Sequence, residues 1–338
     1  MRIGIPRETK PGELRVALLP DHVAILARDG HEIRVASGAA GGIGQLDASY
    51  LDAGALIVAP HEAWDAELIV KVKEVQEADY GSLRAGQALF CFHHLPTEPE
   101  RARAVAASGI TAIAAEMVRD ASGGFPLLAP MSVIAGRMAI EAGARHLGHA
   151  PRRVLVLGAG HAGRAAERAA LERGASVTVL RRASATPAAI ESAALGADLV
   201  VGAAFVPGSP TPKLLPRALV ARMKPGSMIV DIAIDAGGVA ETSRPTTHAE
   251  PTFVEEGVIH YCVENMPSAH PAEAAAALSA ALLPYARELA AKGIARAVRE
   301  NPALRAAVLV WKGRVSHAGI AREAGLAYTS LSDRDLED

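Results

Sequence analysis

Directly after the uninterrupted apolar run Val154-Leu155-Val156-Leu157 comes Gly158-Ala159-Gly160-His161-Ala162-Gly163, and a helix-like segment then runs to Arg173-Gly174. A buried strand that feeds a glycine-rich turn and then a helix is the opening unit of a dinucleotide-binding sheet. In that unit Gly158 makes the tight turn, Gly160 lets the backbone approach a pyrophosphate, and Gly163 lets the helix pack closely on the strand. The helix N-terminus then faces the anion. A tight turn with no ligand is the plain alternative. The second strand over 176–180, at the expected distance, favours the nucleotide.

At the end of that second strand, about 20 residues on, an Asp or Glu holds the ribose hydroxyls of NAD in such folds. Here Arg181-Arg182 stand in that place. A guanidinium pairs with a phosphate and accepts nothing from a hydroxyl, so Arg181 leans towards the 2′-phosphate of NADP; a solvated arginine pair is the other reading. The path from Arg181 to the next strand near Leu199 has room for one helix, where a full mononucleotide unit carries helix, strand and helix. The adenosine half is therefore expected to be abbreviated.

A chain of 338 residues exceeds what one hydrophobic core fills, so two are expected. Half the residues are hydrophobic and 21% charged, which excludes a disordered chain. Lys+Arg at 35 against Asp+Glu at 37, with no long like-charge run, gives no nucleic-acid footprint and no polybasic membrane surface. The apolar stretch 272–291 is interrupted by Glu273, Pro284, Arg287 and Glu288 and reads as a core helix rather than a membrane span. Cys91 and Cys262 lie in apolar segments outside any metal-ligand spacing, and no paired His/Asp/Glu spacing makes a case for a metal. The N-terminus reads as a first strand rather than a signal peptide, so the cytoplasm is the expected compartment.

Along the chain, Pro20 to Gly30 has the proline start and glycine stop of a helix, and strands are expected over 33–35, 68–72, 88–92 and 111–115. An amphipathic helix over 132–147 leads into the glycine-turn strand, and further buried strands are expected over 199–203, 227–232 and 258–263. After Val263 the pattern turns helical, and that last segment is expected to return to the first domain. The fold class is α/β, with two Rossmann-like domains. Residues 128–271 form a dinucleotide-binding domain inserted into a discontinuous substrate domain of residues 1–127 and 272–338.

Several segments, in order and through both domains, resemble the alanine dehydrogenases. They are Met1-Arg2-Ile3-Gly4-Ile5-Pro6-Arg7-Glu8 with Arg15-Val16-Ala17, Lys71-Val72-Lys73-Glu74, Leu89-Phe90 through His94-Leu95, and Leu127-Leu128-Ala129-Pro130-Met131-Ser132. Val230-Asp231-Ile232-Ala233-Ile234-Asp235, Ser243-Arg244-Pro245-Thr246-Thr247-His248 and Tyr261-Cys262-Val263 with Asn265-Met266-Pro267 continue the likeness. More distantly, the chain is similar to the NAD-binding subunit of proton-translocating transhydrogenase. The resemblance implies that Arg15 and Lys73 hold a substrate carboxylate, with Met131 and Asn265 beside it. His94 is then the acid/base group and Asp235 assists at the reacting carbon. Ser132, Asn265 and Met266 line the nicotinamide end, while Gly158, Gly160, Gly163 and Arg181 hold the rest of an NAD or NADP cofactor. These residue types suit the chemistry: a 2-oxo acid needs cationic donors, its amination needs a group that titrates near neutrality, and an anion stabilises the amine.

Four departures mark the chain off from that family. The glycine-rich segment before the fingerprint strand is reduced to Gly148 through Arg153, which favours a homodimer over a hexamer. The stretch after Arg181 is short. Arg181 replaces the acidic ribose ligand. Finally, Glu264, Val133 and the run Ala274 to Leu278 replace residue types usual beside the nicotinamide and substrate. The expected activity is reversible oxidative deamination of a small L-amino acid to its 2-oxo acid. Two alternatives stay open: reductive condensation of a 2-oxo acid with an amine other than ammonia, for which Glu264 would bind the amine, and a redox-neutral or non-catalytic homologue.

Overall fold

Six short strands open the chain: β1 (Arg2–Ile5), β2 (Glu32–Ala36), β3 (Leu56–Val58), β4 (Leu68–Val70), β5 (Ala88–Cys91) and β6 (Thr111–Ala114). The computed structural model that shows them describes residues 1–204 and 210–337. β4, β5 and β6 are buried at every position, as strands covered on both faces of a parallel sheet must be. Between β1 and β2 the helix Pro20–Arg28 starts on its proline and buries Val23 and Leu26. The six strands pair in parallel in the order β3-β2-β1-β4-β5-β6. Sheet growth thus reverses between β1 and β4, and the carboxyl ends beside such a reversal are where α/β sheets bind ligands.

The second sheet contains β7 (Arg153–Leu157), β8 (Ser176–Leu180), β9 (Leu199–Gly202), β10 (Met228–Asp231), β11 (Thr252–Glu255) and β12 (Val258–Tyr261). Its order is β11-β12-β10-β9-β7-β8, parallel except for β11, which pairs antiparallel with β12. The β11–β12 hairpin turns on Glu256 and Gly257, both at positive φ (51° and 74°), as the twist of a two-residue hairpin requires. A core of Leu155, Leu157, Val200 and Ile229 packs against Ile190, Ala194 and Leu219. The reversal here falls between β7 and β9.

One helix, Pro187–Gly196, joins β8 to β9, so β8 is an edge strand and the third strand of a full mononucleotide unit is missing. The strand is built for that position. Ser176 and Thr178 are exposed while Val177 and Val179 are half-buried, the alternation of a strand with one face in water.

From Pro271 the chain forms the helix Pro271–Lys292, which buries Ala274, Leu278, Leu282, Ala286 and Leu289. The expectation that everything after Val263 is helical is overturned. β13 (Val308–Trp311) pairs antiparallel with β6, and β14 (Arg314–Val315) pairs antiparallel with β13. Four consecutive buried apolar residues, two of them valines, suit a short strand, and Lys312-Gly313 at φ 47° and 82° make the hairpin turn. β3 and β11 are likewise strands that the sequence pattern did not lead us to expect, and the expected elements differ at their ends. β4 stops at Val70 rather than 72, and the long helix spans Ala129–Leu147, starting before 132.

The chain divides into two compact units, Met1–Pro130 with the chain from His270 onward, and Met131–Ala269. Among the described residues no helix is long and apolar enough to cross a membrane.

Candidate active site

In the first unit, the segments leaving β1, β4 and β5 at their carboxyl ends carry Arg15, Lys73 and His94. Arg15 and Glu13 are both buried, and the guanidinium donates from Nε to Glu13 Oε1 at 2.7 Å and from Nη2 to Oε2 at 2.5 Å. Burial pushes the Glu13 carboxyl up, but the Arg15 hydrogen bonds and the charges of Arg15 and Lys73 hold it below its ordinary range. One edge of the Arg15 guanidinium is thus fixed by a carboxylate two residues away.

Lys73 acts on a second neighbour. Burial, and after it the Lys73 charge, holds the His94 imidazole down at about 4, against the pull of Glu74 in the other direction; Lys10 and His93 add to the depression. Glu74 is buried and ion-paired with Lys10 at 2.7 Å; burial pushes its carboxyl up, but Lys10 and His94 hold it down at about 2. His94 is therefore a neutral ring at ordinary pH, set among two lysines and one carboxylate. Its ring lies nearly parallel to that of Phe92, with centroids 6.3 Å apart.

The neighbouring His93 has a different task. It is wholly buried, its Nε2 lies 3.1 Å from the Leu89 carbonyl, and burial lowers its ring to about 4. A neutral ring facing a carbonyl carries its proton on that nitrogen, so Nε2 donates.

Lys71, given no role from the sequence, is a further charged group here. It is fully buried, 3.3 Å from Glu8 and 3.9 Å from Asp79, with its ammonium 5.6 Å from the Trp64 ring centre. Burial favours the neutral amine, but Glu8 and Asp79 outweigh it and raise the ammonium above its ordinary range. Glu8, Glu13, Glu74 and Glu116 were all missed as members of this site. For Glu116 alone a signal was available, a lone acid closing the apolar run Ala112-Ile113-Ala114-Ala115.

The second unit carries the glycine turn. Gly158 has φ 111°, and a Cβ there would sit 2.5 Å from the Ala203 carbonyl; at Gly163 a Cβ would fall 1.9 Å from the Gly158 carbonyl oxygen. Gly160 is different, with open space where its Cβ would be. It is also the N-cap of the helix His161–Glu172, which has no side-chain cap. An uncapped helix start beside an open glycine is what a pyrophosphate needs, so these residues fit a dinucleotide. At the end of β8, Arg181 is exposed, and its backbone N–H donates to Ser184 Oγ at 2.9 Å.

Met131 and Ser132 lie in the first turn of the helix Ala129–Leu147, five and four residues before Gly136, where that helix packs closely on Ala162. Asp235 is exposed on the turn Ile232–Ala236 that follows β10. That turn is organised by Asp231, fully buried, which accepts from the backbone of Ala233 and Val239 and from Ser243 Oγ at 2.6 Å. Asn265 adopts a left-handed backbone at φ 54°, and Met266 beside it is buried. Arg15, Lys73 and His94 thus share the first unit, while Asp235, Asn265, Met131, Ser132, Met266, Arg181 and the glycines belong to the second. Among the described residues no cluster of His, Cys, Asp and Glu forms a metal site.

Two family models match the chain: "Alanine dehydrogenase/PNT, N-terminal domain" over residues 4–135 and "Alanine dehydrogenase/PNT, C-terminal domain" over residues 180–318. The chain is 42% identical to an alanine dehydrogenase of Halomonas elongata over 367 residues, covering 98% of this chain and 99% of that one. It is 43% identical to an alanine dehydrogenase of Mycobacterium tuberculosis over 366 residues, covering 97% and 98%. Among solved structures, an L-alanine dehydrogenase superposes with a TM-score of 0.90 at 37% identity, over 95% of this chain and 98% of that one. A transhydrogenase from Sinorhizobium meliloti superposes with a TM-score of 0.83 at 25% identity, over 94% and 99%.

Proposed function

Since the chain belongs to the alanine dehydrogenase/PNT family, we propose that it is an NAD(P)-dependent dehydrogenase that interconverts a small L-amino acid and water with the corresponding 2-oxo acid and ammonia. The observation that carries this reading is the gathering of Arg15, Lys73 and a neutral His94 at the carboxyl ends of the first sheet. When bound, the nicotinamide supplies or accepts the hydride.

The protein's own groups do the rest. Arg15 and Lys73 hold the substrate carboxylate, and the Glu13 clamp fixes the plane of the Arg15 fork; Met131 and Asn265 are also assigned to substrate binding. His94 takes a proton from the water that adds to the iminium carbon, then returns it to the departing nitrogen. A substrate carboxylate at Lys73 offsets the charge that depresses His94, and so raises its basicity when it is needed. Asp235 supplies the anion that favours the cationic nitrogen. Ser132 and Met266 line the nicotinamide end. Gly158, Gly160 and Gly163 seat the pyrophosphate, and Arg181 takes the 2′-phosphate, which makes NADP the preferred cofactor.

We further assign residues 1–127 and 272–338 to the substrate and 128–271 to the nucleotide, in a cytoplasmic homodimer. Steady-state assays with NADPH and NADH, ammonia and a panel of 2-oxo acids test the activity. No turnover at saturating cofactor across the panel would end this reading.

A further inference from the structure

Lys73 and His94 stand where two neighbouring strands run out of partners. The ladder between β4 and β5 continues through Lys71 N to Phe90 O and Phe92 N to Val72 O, and stops there. The N–H groups of Val72, Lys73, His93 and His94 must then be satisfied by something else. Two half-buried glutamates do it. Glu8, beyond β1, accepts from Val72 N at 2.7 Å and Lys73 N at 3.2 Å. Glu116, beyond β6, accepts from His93 N at 3.1 Å and His94 N at 2.8 Å.

The arrangement follows from the strand order. β4 and β5 are adjacent, β1 flanks β4 and β6 flanks β5, so each outer strand sends a carboxylate across to the end of its inner neighbour. The two clamps differ in one respect. Glu8 is ion-paired with Lys71, whereas among the described residues Glu116 has backbone donors alone. His94 has φ 50° and ψ 23°, a left-handed backbone that is unfavourable for a non-glycine residue. Successive N–H groups converging at such a turn make a concave anion site, and a carboxylate in it repays the strain.

We propose that Glu116 is a positioning residue for His94: its carboxylate holds the left-handed turn that aims the imidazole, as Glu8 holds the turn that carries Lys73. The proposal rests on the role given to His94 above. Without the carboxylate the turn relaxes, and the ring leaves its place against Phe92 and beside Lys73, Glu74, Lys10 and His93, the groups that set its basicity.

The test uses the full chain with Glu116→Gln, which keeps the size and loses the charge. Expected is a folded protein with kcat lower by on the order of 10²-fold and KM for the 2-oxo acid nearly unchanged. The His94 ring-proton resonance, assigned by its loss in His94→Asn, is expected to titrate closer to 6.5 than the value of about 4 set by its native surroundings. A folded Glu116→Gln with wild-type kcat and an unchanged His94 titration overturns the proposal. If that variant does not fold, Glu116→Asp, which shortens the arm by one methylene, is read the same way. Should the wild-type protein show no turnover, the functional assignment falls while the His94 titration still decides the role of Glu116.

Discussion

The Arg15 guanidinium and the Glu13 carboxylate form a buried, two-pronged ion pair, Nε to Oε1 at 2.7 Å and Nη2 to Oε2 at 2.5 Å. Removing one partner of such a buried pair takes away charge compensation that water cannot replace, at a cost of about 3–5 kcal/mol. Glu13→Ala is therefore expected to lower the unfolding free energy by that order. It should also raise KM for the 2-oxo acid more than it lowers kcat, since the arginine fork loses its fixed plane. Urea denaturation and steady-state kinetics check the two parts; a KM unchanged in a folded variant would separate Glu13 from substrate binding.

The histidine pair fixes the sign of a pH dependence. His93 and His94 titrate near 4 in the folded chain, below the ordinary 6.5, because burial disfavours the charged ring. Between those two values the unfolded chain binds protons that the folded one refuses, so stability is full above 6.5 and falls as pH drops towards 4. Glu74, held at about 2 against an ordinary 4.5, extends the loss to lower pH. Glu8 and Glu116 oppose the trend, since burial raises both. His93, wholly buried, contributes up to about 3 kcal/mol. Unfolding free energies measured from pH 7 to 4 should fall, and the fall should be shallower in His93→Asn.

Catalysis should follow a related pattern. The acid limb of kcat/KM reports the free protein and that of kcat the substrate complex. With the Lys73 charge offset by a bound carboxylate, the kcat limb is expected at higher pH than the kcat/KM limb. Coincident limbs would show that Lys73 and the substrate carboxylate do not meet.

What the sequence made legible was local. Val154-Leu155-Val156-Leu157 with the glycine turn identifies the start of the second sheet because strand, turn and helix follow one another within twenty residues of chain. The short path after Arg181 revealed the missing third strand for the same reason. The partners of the site residues were not local. Glu8 reaches Val72 and Lys10 reaches Glu74 across 64 residues of chain, and such pairings leave no periodic trace. β13 escaped because four apolar residues between alanine-rich helices do not declare their period; the Lys312-Gly313 turn was the overlooked sign.

Arg181 should decide between cofactors. A guanidinium to phosphate contact contributes more than a neutral hydrogen bond, and its loss typically costs about 1.5–3 kcal/mol. Arg181→Ala is expected to weaken NADPH by roughly 10- to 100-fold and leave NADH nearly unchanged. Nucleotide fluorescence titration measures both. Equal effects on the two cofactors, or none on either, would assign Arg181 to the solvated surface and remove the case for NADP.

The glycine turn allows stability and binding to be separated. At Gly163 a Cβ would lie 1.9 Å from the Gly158 carbonyl oxygen, a backbone atom that cannot move aside without opening the turn. At Gly160 a Cβ would meet nothing within 4 Å, and the backbone there is extended at φ −72° and ψ −165°. Gly163→Ala should therefore destabilise the unit by about 1–3 kcal/mol through overpacking, whatever the ligand. Gly160→Ala should leave the melting temperature of the free protein unchanged and weaken both nucleotides by 10-fold or more, on the order expected when a methyl group fills the space a pyrophosphate approaches. Thermal melts of both variants with and without NADPH distinguish the two. Full cofactor-induced stabilisation in Gly160→Ala would mean that the nucleotide does not approach the backbone at this turn, and the open space at Gly160 would need another explanation.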